Sequence, residues 1–179
     1  MRADRHVTKD WVSLMRKETI EKSVITLILV VWWLFMPQIG YTPEDTDNIK
    51  PHLFYLLSHA NFMHLFGNLF VLWIMKRELY VIPSIIIAVL VSLIPAWSLW
   101  GDLGMTMGFS GVLFAIYGIK WGVYATDRYG MHYSASARDK FLIKAVPFAL
   151  IGAVIPHLNW CIHLYALLAG YIYGRFKRQ

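Results

Sequence analysis

Between residues 20 and 176 the chain is a succession of six apolar runs, separated by short breaks that carry charges, proline or glycine. A helix crosses a hydrocarbon core about 30 Å thick with about 20 residues, at about 1.5 Å per residue. The runs are close to that length, and with their turn signals they predict spanning helices at 20–37, 61–80, 83–100, 108–126, 141–156 and 158–176. A water-soluble reading fails on surface area: with 58% hydrophobic residues, too little polar side chain remains to cover a globule. The expected fold is an all-α polytopic membrane protein, a bundle of six transmembrane helices forming one domain over 1–179. Residues 20–176 make its core. Residues 1–19 make a cytoplasmic segment, with an interfacial helix at 8–19 that carries Trp11, Leu14 and Met15 on its apolar side. The lipid bilayer is therefore the first expected partner.

The 17 Lys and Arg residues orient the bundle. With the N-terminus inside, all of them except Lys50 fall on the inner side, and positive charge resists translocation. Glu44, Asp45, Asp47 and Asp102 then face outward. The expectation is a multi-pass protein with both termini cytoplasmic, of the kind found in a bacterial inner membrane. The formal net charge of +6 sits on short inner loops beside anionic headgroups, so no nucleic-acid partner is expected. Val24 to Met36 follows a basic stretch and lacks a small-residue cleavage site, so no cleavable signal peptide is expected. A single cysteine, Cys161, leaves no intramolecular disulfide to form.

An ionisable or nucleophilic side chain inside a membrane helix needs a reason to be present. Ser110, in Gly108-Phe109-Ser110-Gly111, opens the fourth run, and His163 lies near the start of the sixth. Helical rise puts Ser110 roughly 5 to 8 Å, and His163 about 8 Å, below the outer interface. On the second helix His64 and Asn68 are four apart and share a face. Measured from an N-cap at Asn61, they lie about 5 and 10 Å deep. Four polar groups from three helices thus reach one outer layer. Small residues suggest how they meet: Ala166, Gly170 and Gly174 continue the stripe under His163, and Gly111, Ala115, Gly118 and Gly122 line the fourth helix. Such ridges let membrane helices approach closely enough for a serine and a histidine to bond. Either ridge alone reads as ordinary packing; the polar residue at the head of each favours chemistry.

Three motifs stand in order on these spans: His59-Ala-Asn-Phe-Met-His64-Leu-Phe-Gly-Asn68, Gly108-Phe-Ser110-Gly111, and His163-Leu-Tyr-Ala166-Leu-Leu-Ala-Gly170-Tyr-Ile-Tyr-Gly174. In them the chain resembles the rhomboid intramembrane serine proteases of the six-helix bacterial type, over residues 20–176. The resemblance implies a Ser110 nucleophile and a His163 general base, with His64, Asn68 and Ser110 binding the oxyanion. Gly108, Gly111, Phe114, His59, Ala166 and Gly170 are expected to shape the site. Transmembrane proteins, cut near the outer face, are the implied substrates, with no metal and no cofactor. The residue chemistry agrees: serine is a poor nucleophile until a base takes its proton. Since no acidic residue lies in the sixth run, a Ser-His dyad is expected rather than a triad.

The chain also departs from the family pattern. Lys50-Pro51-His52 stands where many rhomboids carry Trp-Arg, Phe114 stands where many carry a tyrosine four residues after the nucleophile, and Glu78 falls two positions early for the glycine-flanked glutamate often found late on the second helix. A divergent member is expected. Two other classes fit parts of the sequence: a catalytically silent rhomboid-like protein that binds transmembrane helices, and a metal protein using His59, His64, His157 and His163. The absence of a His-Glu-x2-His pattern argues against the second. His64 and Asn68 also fit a buried hydrogen bond between helices. Cys161 is read as a packing or lipid-facing residue, Lys120 and Lys144 as snorkelling to the inner interface, and the segment Pro156 to Trp160 as a cap over the site.

Overall fold

The computed structural model describes residues 3–42, 45, 47–75, 79–96, 104–126 and 158–177. Its helices are α1 (Ala3–Phe35), α2 (Ile49–Phe54), α3 (Phe62–Ile74), α4 (Val81–Ser92), α5 (Ser110–Thr126) and α6 (Trp160–Phe176). Among the described residues the β pairing is limited to an isolated antiparallel bridge between Tyr41 and Thr106. The all-helical class expected from the sequence is what the described residues adopt.

The elements differ from the expected spans in four respects. The interfacial helix and the first span run together as α1, 33 residues without a break. The short α2 was not expected, because its six residues carry no apolar period. The helix expected at 61–80 stops at Ile74, and the one expected at 83–100 occupies 81–92. With 13 and 12 residues, α3 and α4 reach only about 20 and 18 Å. Among the described residues no helix is long and apolar enough to cross a membrane. The span expected at 141–156, with Lys144, lies outside the described residues.

Local chemistry sets these ends. Asn61 caps α3 by accepting the His64 backbone N–H at 2.9 Å, the N-cap read from sequence. At the other end Met75 turns extended. There Lys22 of α1, only 4% exposed, donates to the carbonyls of Trp73, at 3.2 Å, and Met75 while pairing with Glu18 at 2.6 Å. An ammonium on the last carbonyls of a helix complements its dipole and closes its end. Lys22, which the charge count assigned to the inner surface, is thus buried as a clasp between α1 and α3. The Trp73 indole N–H, donating to Thr26 Oγ1 at 3.0 Å, ties the same two helices. For α4, Tyr80 supplies a left-handed residue before the first turn, and Pro83 sits in that turn, where its missing N–H is harmless. Pro95 disfavours helix at the preceding residue, so α4 ends short of the expected boundary.

The centre of the molecule is the contact between α5 and α6. Ala115 and Ile119 of α5 and Ala166 of α6 are fully buried along it. A Cβ at Gly118 would be driven into the backbone carbonyl of Leu167, and one at Gly170 into that of Ala115; Gly122 and Gly174 repeat the pattern lower down. The expected small-residue ridges therefore face each other, backbone against backbone. Lys120, expected at the interface, is instead 4% exposed. Cys161 is buried and packs. Replacing Gly118 by valine is expected to cost at least about 1 to 3 kcal/mol, the usual range for overpacking. Thermal unfolding in detergent checks this, and a melting point equal to wild type would contradict the seam.

Candidate active site

Ser110 is the first residue of α5, so its backbone N–H belongs to the turn that has no intrahelical acceptor. The chain reaches it through Gly108, whose φ of 121° lies in the region that L-side chains rarely adopt. Glycine is required there twice over. A Cβ would also lie 2.7 Å from the His64 ring and 3.5 Å from Asn68 Nδ2.

Two bonds hold this turn from behind. The Gly108 N–H donates to the Tyr55 carbonyl at 2.8 Å, and the Phe109 N–H to His59 Nε2 at 3.4 Å. His59 in turn donates from Nδ1 to the Leu57 carbonyl at 3.2 Å. A carbonyl only accepts and a backbone N–H only donates, so both bonds together require the neutral ring protonated on Nδ1. Burial, with the His64 ring beside it, pushes His59 down to about 4, which favours that neutral form. His59 thus bonds both Leu57 and the turn that leads into Ser110.

His163 sits in the first turn of α6. Its Nε2 lies 2.9 Å from Ser110 Oγ, and its ring stacks on Phe114 with centroids 4.5 Å apart and planes 24° from parallel. Nδ1 is buried and has no hydrogen-bond partner among the described residues. Among the described residues no carboxylate bonds to the far side of the ring. The sequence matches the Rhomboid domain model over residues 46–179. This chain belongs to the rhomboid family. No curated protein matches this one in sequence.

Around the Ser-His pair this rhomboid has a cavity of about 440 Å³, lined among others by His64, Asn68, Gly108, Ser110, Phe114 and His163. His64 and Asn68 both lie close to Gly108. Asn68 is buried, and its Nδ2 donates one hydrogen to the His64 carbonyl of its own helix at 3.0 Å. An amide nitrogen carries a second hydrogen. The buried hydrogen bond that the sequence left open for His64 and Asn68 is thus intrahelical, not a link between helices. Gly111 meets α2 and α6 closely: a Cβ there would lie 3.1 Å from the Tyr55 hydroxyl. Ala166 and Gly170 take their places in the α5–α6 seam below His163. As to the metal reading, His59 and His64 are in edge contact at 5.2 Å, but among the described residues no group of three or more His, Cys, Asp or Glu is placed to hold an ion. His157 lies outside the described residues, as does Pro156 of the expected cap.

Four residues of the surroundings went unread in the sequence: Tyr41, Tyr55, Thr106 and Asn159. Asn159 carried a usable signal, an N-cap residue directly before an apolar helix. The others act through backbone bridges and ring edges, which leave no periodic trace. Where many rhomboids carry Trp-Arg, His52 is held by three contacts. His52 donates from Nε2 to the Asp45 carbonyl at 2.9 Å, meets Ser92 Oγ at 3.0 Å, and stacks on Tyr41 at 4.6 Å.

The His59 arrangement has a pH signature. Its folded-state value lies below the unfolded one near 6.5, so the unfolded chain takes up the proton first. The stability it contributes is complete above about 6.5 and is lost as pH falls toward 4. Melting temperature followed from pH 7.5 to 4 is expected to fall more steeply for wild type than for His59→Gln, and parallel curves would contradict the neutral assignment.

Proposed function

We propose that this rhomboid is an intramembrane serine endopeptidase that cuts transmembrane proteins near their outer ends with a Ser110–His163 dyad. The observation that carries the reading is the 2.9 Å contact between Ser110 Oγ and His163 Nε2, with the imidazole Nδ1 left without an acceptor. As Ser110 attacks a peptide carbonyl, its proton passes to His163 Nε2 and negative charge gathers on the carbonyl oxygen. Donors aimed at that charge are available in the Ser110 N–H at the start of α5, the free hydrogen of the Asn68 amide and an imidazole N–H of His64. His163 then gives the proton to the departing amine, and a water repeats the sequence to release the acyl group and regenerate Ser110.

The reading includes an orientation, with both termini cytoplasmic and the cavity toward the outer leaflet. It is supported by the placement of every Lys and Arg but Lys50 on the other side. A catalytic water is then reached from outside without crossing the hydrocarbon.

A fluorophosphonate probe applied to purified protein is expected to label wild type and to leave Ser110→Ala and His163→Ala unlabelled. Asn68→Ala is expected to slow cleavage of a model transmembrane substrate by about 10² to 10³, the usual cost of one oxyanion donor. Absence of labelling in folded wild-type protein, with retained binding of transmembrane segments, would replace this reading with that of a catalytically silent helix-binding rhomboid.

A further inference from the structure

We infer that Thr106 and Asn159 form a positioning clamp that sets the height of His163 against Ser110, a role that rests on the dyad reading above. Asn159 Nδ2 donates to Thr106 Oγ1 at 2.9 Å and reaches the Tyr41 hydroxyl at 3.4 Å. Its Oδ1 accepts the Ile162 N–H at 3.4 Å, capping α6. Thr106 is four residues before Ser110, and Asn159 four before His163. The same sequence separation, 53 residues, thus divides both bonded pairs. They are two rungs of one ladder between parallel segments, the clamp about one helical turn outward of the dyad on α6.

The need for such a rung follows from what holds His163. Its ring has no bond at Nδ1, and stacking on Phe114 fixes the plane of the ring without fixing its height. Its position is therefore inherited from the backbone of α6. The glycine seam below sets how close α5 and α6 lie. Facing ridges of glycine and alanine present few protrusions to oppose sliding or rotation of one helix past the other. The clamp supplies a directional contact at the outer end. It is protected from competing water, since Asn159 is 5% and Thr106 7% exposed. It is also anchored: the Thr106 backbone exchanges bonds of 2.8 and 3.0 Å with Tyr41, whose ring is wedged against His52 and Tyr55.

The clamp can be removed without removing the cap of α6. Thr106→Val keeps the shape and the backbone pair with Tyr41 but deletes the side-chain acceptor, and leaves Asn159 Oδ1 on Ile162. Thr106→Ser keeps the hydroxyl. Imidazole nitrogen-15 shifts of His163 in full-length protein report the bond to Ser110 with no turnover required, Ser110→Ala giving the value for the broken bond. Thr106→Val is expected to move the Nε2 shift toward that of Ser110→Ala and to lower kcat on a transmembrane substrate by about 10- to 100-fold, the scale of a misplacement near 1 Å, with KM within about twofold. Thr106→Ser is expected to restore both. A Thr106→Val shift identical to wild type, or a Thr106→Ser variant as impaired as Thr106→Val, overturns the clamp. Identical shifts in wild type and Ser110→Ala would refute the dyad, and the clamp with it.

Discussion

Close approach of α5 and α6 is the constraint on which the rest of this rhomboid depends. A serine and a histidine bond only when their backbones come near, because neither side chain is long. Gly118, Gly122, Gly170 and Gly174 remove the side-chain layer that would hold the two helices apart. In a lipid surround there is no hydrophobic drive between helices, so contact between backbones, dispersion and directional bonds carry the association. The site is consequently placed where two helices start together at one end of a seam, and not in a groove between distant elements.

Much of that arrangement was legible in the residues. Ser110, His163, His64 and Asn68 could be located because membrane helices give polar groups a baseline against which they stand out. The glycine stripes could be located because their period is that of the helix. What escaped has a common cause. The end of α3 is closed by Lys22 arriving from α1, and that of α4 is set by the proline at 95, while hydropathy continues past α4 through Leu93, Ile94, Ala96 and Trp97. Lys22 and Lys120 read as surface charges because burial of a lysine depends on partners far along the chain. The loop before His59 looked short of packing, yet His52 and Tyr41 fill it by contacts with Ser92, Asp45 and Tyr55 that have no sequence period.

His59 and His163 illustrate how environment separates roles. His59 has both ring nitrogens engaged, one donating and one accepting, and is locked as part of the turn that presents Ser110. His163 has one nitrogen on serine and the other bare. A buried donor without an acceptor is unfavourable by about 1 to 3 kcal/mol. That cost is tolerated in a ring whose basic nitrogen faces serine, and it leaves the ring free of a carboxylate that would stabilise its charged form.

Lys22 binds α1 to one end of α3 by charge. Its ammonium is enclosed with Glu18 and two carbonyls. Peeling α1 from the end of α3 would strand a cation in a dry interior, a penalty of several kcal/mol. The opposite end of α3 is held by the Asn61 cap, by buried Leu65 and by Phe62 against Trp33 of α1. Detaching α1 therefore meets its electrostatic penalty at the end of α3 remote from His64 and the cavity.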